Sequence, residues 1–288
     1  HYMGFGATIG ADYVHYFLAD NAVATPELSV YYTEKFVYLP ATFYANSYTQ
    51  DPDRLPLVGR NTTYKEEREA AGLPPEGTVL CNFNHLHKTS SEMWALWADI
   101  LLRTDGAVLW TLNDNPETQA NIAKELNKHG VAAERVVYAG HEKIWQHLHR
   151  HALADLFLDN NEYNGGTTGL DSYWADVPIL SSPMEKFSAR YGATFNKGAD
   201  LEILTARNGE DYVELTLRLT RKPEILDGIR RKLNSEKLTA PMFDTPAFMR
   251  RFEDTLKMQW EIAYSQLSNE QNFQAMHIVR RGASARAA

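Results

Sequence analysis

The regular alternation of short β-prone segments with longer helical ones is the feature that most limits the fold of this chain. From about residue 78 onward, strand-like segments of five to seven residues, such as 78–84 and 107–113, alternate with helical segments of 10 to 15 residues. In segment 91–104 the apolar residues recur at helical spacing, and Ser90 or Ser91 can cap its start. This order predicts βαβ units and therefore an α/β fold with a parallel sheet.

The same pattern continues to about residue 234 and predicts one doubly wound domain of about five strands over roughly 77–240. Ligands bind at the carboxyl ends of the strands in such a domain. A long helix is predicted over about 245–267, because large apolar residues recur there every four positions. The other predicted strands are 135–140, 154–159, 177–182 and 201–206 (a strand or a turn), and the other predicted helices are 116–130, 143–153, 166–176, 184–195, 209–221 and 223–234.

Composition and charge exclude several classes of protein. The 288 residues are 44% hydrophobic and 23% charged, so the chain can bury a full core without disulfides or metal. Cys81 is the single cysteine, which excludes an intramolecular disulfide and fits a reducing compartment. The net charge of −8 argues against a nucleic-acid partner. The sequence contains no signal-peptide pattern and no apolar run of about 18 residues, so we expect a cytoplasmic protein without a membrane partner.

The glycine-rich turn within 156–176 is the strongest local candidate for a ligand site. There a predicted strand runs into Gly165-Gly166 and then into Thr167-Thr168 at a helix start. Free backbone amides and the positive end of a helix favour a phosphate, and threonine hydroxyls add donors. Asp171 follows one turn later, where its carboxylate could accept hydrogen bonds from a ribose. An ordinary βα turn capped by a threonine explains the same residues, so both interpretations stay open at this point.

The polar segment 81–90 follows the first predicted strand of the same domain. It places His85, His87 and Lys88 near the carboxyl end of that strand, where ligands bind. Lys88 could neutralise a phosphate as a point charge. A solvated polar loop is the alternative, and for a single lysine it is the simpler explanation.

The histidine-rich segment 141–153 raises the question of a metal. His147 and His151 are four residues apart and share one face of the predicted helix. The segment has no acidic residue in an HExxH arrangement, and the chain offers a single cysteine. We therefore expect no metal, and favour a histidine packing on a base or a plain amphipathic helix.

Several segments in one order and spacing, from about residue 2 to 265, resemble a known family. These segments are GFGATIGADY near the start, YYTEKFVYLP (31–40), CNFNHLHK (81–88), AVLWTL (107–112), LADLFLD (153–159), GTTGLD (166–171), WADVPIL (174–180), EKFSARYGA (185–193) and LTAPMFDT (238–245). They are similar to the O-linked N-acetylglucosaminyltransferases, nucleocytoplasmic enzymes that place N-acetylglucosamine on serine and threonine of proteins. No single segment is specific, but the whole set is in register.

The resemblance implies a GT-B architecture, in which two Rossmann-like domains face each other, and often tetratricopeptide (TPR) repeats precede them. The C-terminal domain of the family holds the sugar nucleotide. The domain bounds that it implies are 1–45 for the last part of the N-terminal catalytic domain, 46–76 for a linker, 77–240 for the C-terminal Rossmann-like domain, 241–268 for a crossover helix that packs back on the N-terminal domain, and 269–288 for a disordered tail. On this hypothesis, the start at His1 reflects missing repeats and most of a missing N-terminal domain.

The resemblance also assigns roles by position. Lys88 matches the lysine that contacts the diphosphate and stabilises the leaving UDP, which makes it the candidate catalytic residue. His147 matches the histidine that stacks against uracil, and Asp171 matches the aspartate on the ribose. The full set of implied donor-binding residues is His85, Lys143, His147, Arg150, Gly165, Gly166, Thr167, Thr168 and Asp171, with Met3 and Gly4 near the sugar.

This sequence departs from the family pattern at three places. His85 replaces the usual glutamine near the phosphates, and a titratable side chain there changes the local chemistry. Ile144 stands where a lysine beside the uridine is usual, although Lys143 is adjacent and could substitute for it. Gly6-Ala7 stands where the family has proline-glycine.

The implied reaction is an inverting transfer of N-acetylglucosamine from UDP-GlcNAc to serine or threonine hydroxyls of a protein or peptide acceptor. It requires no metal and no other cofactor, and no residue of the chain is assigned as general base. One alternative is another donor, UDP-glucose or GDP-fucose, or an asparagine acceptor, with Tyr163 and Gly166 shaping the sugar pocket. Another alternative is a non-catalytic subunit that binds UDP-sugar or a sister subunit, which the residues His85 and Ile144 favour.

Overall fold

The structure, a computed structural model, describes residues 1–51, 63–113, 115–266 and 275–278. The strands in these ranges are β1 (Tyr16–Ala19), β2 (Lys35–Tyr38), β3 (Val79–Asn82), β4 (Val108–Leu112), β5 (Val136–Ala139), β6 (Leu156–Leu158), β7 (Ile179–Leu180) and β8 (Met276–His277). The α-helices are α1 (Tyr64–Ala70), α2 (Ser91–Leu102), α3 (Pro116–Lys128), α4 (Ile144–His151), α5 (Thr167–Trp174), α6 (Tyr191–Gly198), α7 (Gly209–Arg221), α8 (Pro223–Glu236) and α9 (Thr245–Gln266).

The larger sheet is parallel and has the strand order β5-β4-β3-β6-β7. The residues of β3 and β4 are buried throughout, as expected of strands that are covered on both faces. The strand order reverses direction between β3 and β6, so the crevice at this switch point lies at their carboxyl ends. The prediction of a doubly wound α/β domain with a five-stranded parallel sheet is confirmed.

The smaller sheet has the order β1-β2-β8 and is also parallel. Val37 of β2 pairs with Met276 of β8, and their neighbours Tyr38 and His277 stack with ring centroids 4.5 Å apart. The prediction of a disordered tail over 269–288 is therefore wrong for β8. The other residues of that tail, apart from 275 and 278, lie outside the described residues.

Helix α9 returns to the smaller sheet, and its two ends have different surroundings. Near its start, Phe248 and Phe252 lie 6.4 Å and 4.9 Å from the Tyr2 ring, and Phe252 packs on the residues of β1 and β2. Further along, the Trp260 and Tyr264 side chains are exposed. No helix in the described parts of the chain has the length and apolar character needed to cross a membrane.

Two local predictions differ from the structure. The stretch 46–76, predicted as a linker with little structure, contains α1, which begins with a capping box between Thr63 and Glu66. The predicted helix 184–195 is a short 3₁₀ turn followed by α6, because Arg190 leaves helical geometry with φ −129° and ψ 4°. Segment 201–206, predicted as a strand or a turn, forms a 3₁₀ turn with a single bridge to Ser181. The proposed domain bounds themselves stay a prediction.

Candidate active site

The candidate site lies at the switch point of the larger sheet. After β3 the chain makes a 3₁₀ turn that ends at Lys88, and after β6 it forms the loop 159–166 that leads into α5. Both segments leave the carboxyl ends of adjacent strands, so the sheet topology alone brings them together. Lys88 from the first segment and Gly166, Thr167 and Thr168 from the second therefore line one crevice.

A cavity of about 270 Å³ occupies this crevice. Six of the predicted site residues line it, and the smaller sheet contributes Phe43 and Tyr44 from the segment after β2. The cavity therefore lies between the two sheets and needs both of them. Its lining residues are Met3, Gly4, Phe43, Tyr44, Lys88, Tyr163, Gly166, Thr167, Thr168 and Tyr191.

Gly165 and Gly166 of this loop lie very close to neighbouring side chains. A Cβ on Gly165 would lie 2.8 Å from Oδ1 of Asn84, and a Cβ on Gly166 would lie 2.9 Å from the Tyr44 hydroxyl oxygen. Gly166 is the N-cap of α5 and supplies no side-chain cap to its first amides. Threonine hydroxyls and the amides of this first turn are therefore at the cavity wall, where the positive end of α5 favours an anion.

Burial affects the charges of Lys88 and Asp159 in opposite directions. The Lys88 ammonium donates to the Asn164 carbonyl at 3.3 Å, and burial lowers its pKa while the nearby Asp159 acts to raise it. Asp159 is fully buried, which raises the pKa of its carboxyl to about 7. Oδ1 of Asp159 accepts from the Gly165 and Asn160 amides at 2.8 and 2.9 Å, so this carboxyl also holds the shape of the loop.

The predicted nucleoside residues form a second group, on α4 and α5, outside the lining of this cavity. Asp171 is buried, and its Oδ1 accepts a hydrogen bond from the Tyr48 hydroxyl at 2.6 Å. Nε2 of His147 lies 3.8 Å from Oδ2 of Asp171. The Arg150 guanidinium lies against Nδ1 of His147 at 2.7 Å and stacks 4.7 Å from the centroid of the Phe83 ring. These contacts hold the Arg150 side chain between the His147 and Phe83 rings.

The remaining two predicted residues lie away from the cavity. His85 is exposed, and its ring lies 5.6 Å from that of His87 and 6.3 Å from that of His141. Lys143 is exposed as the N-cap of α4 and lines no part of the cavity. The structure therefore does not bring these two side chains to Lys88, and their assignment rests on the resemblance alone.

The sequence reasoning missed several aromatic residues of the site. The Tyr44 hydroxyl lies 3.1 Å from Oγ1 of Thr167, and Tyr48, only 1% exposed, holds Asp171. Tyr191 lines the cavity from the start of α6. The only signal in the sequence was the density of aromatic residues in 43–48, a stretch with no periodicity to place it.

The histidines of α4 do not form part of a metal site in the structure. Nε2 of His147 lies 3.0 Å from Nε2 of His151, and burial lowers the pKa of His151 well below its usual value. Over residues 1–51, 63–113, 115–266 and 275–278, no three histidine, cysteine, aspartate or glutamate side chains are grouped to hold a metal ion.

Solved structures that share this arrangement are glycosyltransferases of the GT-B fold, and the fold assigns the chain to that class. The Thermobaculum terrenum O-GlcNAc transferase superposes with a TM-score of 0.81 at 25% identity, over 93% of this chain and 49% of that one. An Anabaena protein solved with UDP shows the same fold more distantly, with a TM-score of 0.51 at 12% identity, over 80% of this chain and 58% of that one.

The family model of glycosyl transferase family 41 matches residues 59–252, and the chain belongs to this family. Among curated proteins, it is 29% identical over 262 residues to the probable UDP-N-acetylglucosamine–peptide N-acetylglucosaminyltransferase SEC of Arabidopsis thaliana. It is 27% identical over 201 residues to a Caenorhabditis elegans UDP-N-acetylglucosamine–peptide N-acetylglucosaminyltransferase. These alignments cover 91% and 70% of this chain, but 26% and 18% of the relatives' length.

Proposed function

We propose that this chain is the donor-binding half of a hexosyltransferase that transfers N-acetylglucosamine from UDP-GlcNAc to serine and threonine hydroxyls of proteins. The observation that carries this proposal is the cavity in which Lys88 and the first turn of α5 line the same space. An ammonium and a helix N-terminus together suit a diphosphate. The names of the family relatives supply the donor and the protein acceptor.

The proposed chemistry is a single inverting displacement. The acceptor oxygen forms a bond to the anomeric carbon while the bond from that carbon to the UDP oxygen breaks, and negative charge grows on the diphosphate. Lys88 and the amides and hydroxyls of Gly166, Thr167 and Thr168 stabilise that charge from fixed positions. Removing one fixed donor of this kind typically raises the activation free energy by about 3–4 kcal/mol. The group that removes the acceptor proton is not assigned to this chain, and no metal is required.

The nucleoside would lie toward the second group of residues. Asp171 keeps Oδ2 directed toward His147 while Tyr48 holds its Oδ1, so the carboxylate is fixed for a ribose hydroxyl. The His147 ring, oriented by Arg150, is the surface on which we propose that uracil stacks. On this proposal the diphosphate lies at the first turn of α5, and the ribose and the base lie beside Asp171 and His147.

Calorimetric titration of the chain with UDP tests the proposal. We expect the wild-type chain to bind UDP, Lys88→Ala to bind it much more weakly, and Lys128→Ala to bind it normally, because Lys128 is an exposed lysine on α3. A folded wild-type chain that does not bind UDP contradicts the proposal. A donor panel of UDP-GlcNAc, UDP-glucose and GDP-fucose then separates the sugar alternatives.

The proposal extends to the partners and the compartment. The curated relatives are several times longer than this chain, so we propose that an N-terminal catalytic domain, with TPR repeats, completes the enzyme and helps to hold the protein acceptor. Cys81 is a free, buried thiol, which supports a cytoplasmic site of action. The size of the natural gene product tests whether it contains the further domains, and its localisation in the cell tests the proposed compartment.

A further inference from the structure

We propose that Tyr163 is a positioning residue that holds the Lys88 ammonium in the orientation that binds the donor diphosphate. This inference rests on the proposed function, since it concerns the same lysine. The Lys88 Nζ lies 4.3 Å from the centroid of the Tyr163 ring, a distance typical of a cation–π contact. The next residue of the loop, Asn164, accepts a hydrogen bond from the same ammonium at 3.3 Å.

The two contacts together leave the ammonium one free direction. A lysine ammonium has three N–H donors on a flexible four-carbon chain. One donor is used by the Asn164 carbonyl, and the Tyr163 ring covers a second direction. The third donor remains for the cavity that both side chains line, which is where the diphosphate is proposed to bind. Without the ring, Lys88 would have to lose more side-chain freedom when the ligand arrives.

The Tyr163 ring is itself held in place. The Tyr191 ring lies 6.4 Å from it at an interplanar angle of 88°, an edge-to-face contact. Tyr191 packs in turn against Phe43 and Phe187, with centroids 5.8 Å away in both cases. The loop beside the ring is fixed as well, because the Gly192 amide donates to Oδ1 of Asn164 at 3.0 Å. The ring is therefore a fixed surface and not a mobile side chain.

The exposure of Tyr163 argues against a role in core stability alone. Its side chain is 38% exposed and lines the donor cavity, so the fold does not depend on burying it. Surface substitutions of this kind usually change the free energy of unfolding by less than about 0.5 kcal/mol. A phenylalanine at this position keeps the ring face, whereas a leucine keeps an apolar side chain without a π system.

The first test examines the contact in the ligand-free chain. An aromatic ring 4.3 Å from Nζ shifts the ε-proton resonances of Lys88 upfield, which lysine-labelled NMR can measure. We expect the upfield shift in the wild type and in Tyr163→Phe, and its loss in Tyr163→Leu. Unshifted Lys88 resonances in a folded wild-type chain would overturn the inference.

The second test measures function with matched ligands. We expect Tyr163→Leu to weaken UDP binding by about 5- to 30-fold and Tyr163→Phe to bind UDP like the wild type. Neither variant should change the affinity for uridine, which has no diphosphate. In a Lys88→Ala background, Tyr163→Leu should have no further effect on UDP. Equal UDP affinities of wild type and Tyr163→Leu overturn this inference alone. An absence of UDP binding by the wild type overturns the proposed function, and the inference with it.

Discussion

Lys88 and Asp159 are opposite charges that burial affects in opposite ways. Burial lowers the pKa of the lysine and raises the pKa of the aspartate to about 7, so each charge is less stable here than in water. Such shifts are common at sites that bind or process charged ligands. A diphosphate brought into the cavity would favour the charged lysine, and would meet donors in a space of reduced dielectric.

Asp159 should make the stability of the chain depend on pH. Its pKa is raised from 3.8 to about 7 by burial, so the folded chain binds this proton more tightly than the unfolded chain. The free energy of unfolding should therefore fall as pH rises from about 4 to about 7, by an amount on the order of a few kcal/mol. In Asp159→Asn this part of the pH dependence should vanish, because an amide does not ionise.

Urea unfolding at several pH values between 4 and 8 measures this effect. Asp105→Asn, at an exposed turn, is the control and should follow the wild type at every pH. Parallel pH curves for the wild type and Asp159→Asn would show that the carboxyl is not a source of the pH dependence.

The sequence indicated that Lys88 and Thr167 lie close together, but it did not indicate the aromatic residues beside them. Lys88 and Thr167 each follow a predicted strand, and the carboxyl ends of parallel strands meet at one edge, so their proximity could be predicted. Tyr44 and Tyr48 lie in a segment without helical or strand periodicity, and each contacts a residue of α5 that lies 123 positions further along the chain. Only tertiary packing determines such a position.

The start of α2 offers a direct test at the scale of one element. Both Ser90 and Ser91 were candidates for its cap, and the structure selects Ser90, whose side chain accepts from the Met93 amide at 3.2 Å. Ser90→Ala should lower the free energy of unfolding by about 1 kcal/mol. Ser91→Ala, at the exposed first helical position, should change it by less than about 0.5 kcal/mol. Chemical denaturation of the two variants measures both changes. Equal losses of unfolding free energy would contradict the assignment of Ser90 as the N-cap.

Elements with a strong local pattern were predictable, and those shaped by a neighbour were not. Helices α2, α3, α7 and α8 carry caps or prolines at their starts and match their predicted positions. Helix α6 begins later than its apolar spacing indicated, because Arg190 leaves helical geometry just before it. A Cβ on Gly192 would lie 2.3 Å from Oγ of Ser181, a tertiary contact that the apolar spacing does not indicate.

At the scale of the whole molecule, Asp20 connects the two sheets. It lies at the end of β1 and accepts hydrogen bonds from the Phe43 amide at 2.9 Å and the Val23 amide at 3.0 Å. It also accepts a hydrogen bond from the hydroxyl of Thr194 on α6, in the part of the fold that contains the larger sheet. The cavity also takes residues from both parts of the fold, so Asp20 joins the two parts that line it.

Removing Asp20 should therefore destabilise the fold strongly. Asp20→Ala leaves buried amides and the Thr194 hydroxyl without an acceptor, so we expect a loss of about 3 kcal/mol or more in the free energy of unfolding. Asn21→Ala, at the neighbouring exposed position, should cost less than about 0.5 kcal/mol. Thermal or urea unfolding distinguishes them, and similar stabilities for the two variants would contradict a connecting role for Asp20.

The outer part of α9 should make the isolated chain associate with itself. Leu256, Trp260 and Tyr264 are spaced by four residues on one face, and they are 46%, 72% and 71% exposed. We expect concentration-dependent association in sedimentation velocity, and its reduction in the double variant Trp260→Lys, Tyr264→Lys. The double variant Glu253→Gln, Asp254→Asn makes the same change in net charge and should associate like the wild type. A monodisperse wild-type monomer at high concentration would contradict this prediction.

The parallel pairing of β8 with β2 has a consequence for biosynthesis. In β2, Val37 and Tyr38 pair with Met276 and His277, which are synthesised long after them. The five strands of the larger sheet, in contrast, follow one another along the chain. The larger sheet can therefore form while the smaller sheet still has an open edge. A nascent chain of this protein would therefore present an unpaired edge of β2 until β8 has been synthesised, and this is the interval in which a chaperone would have the most to protect.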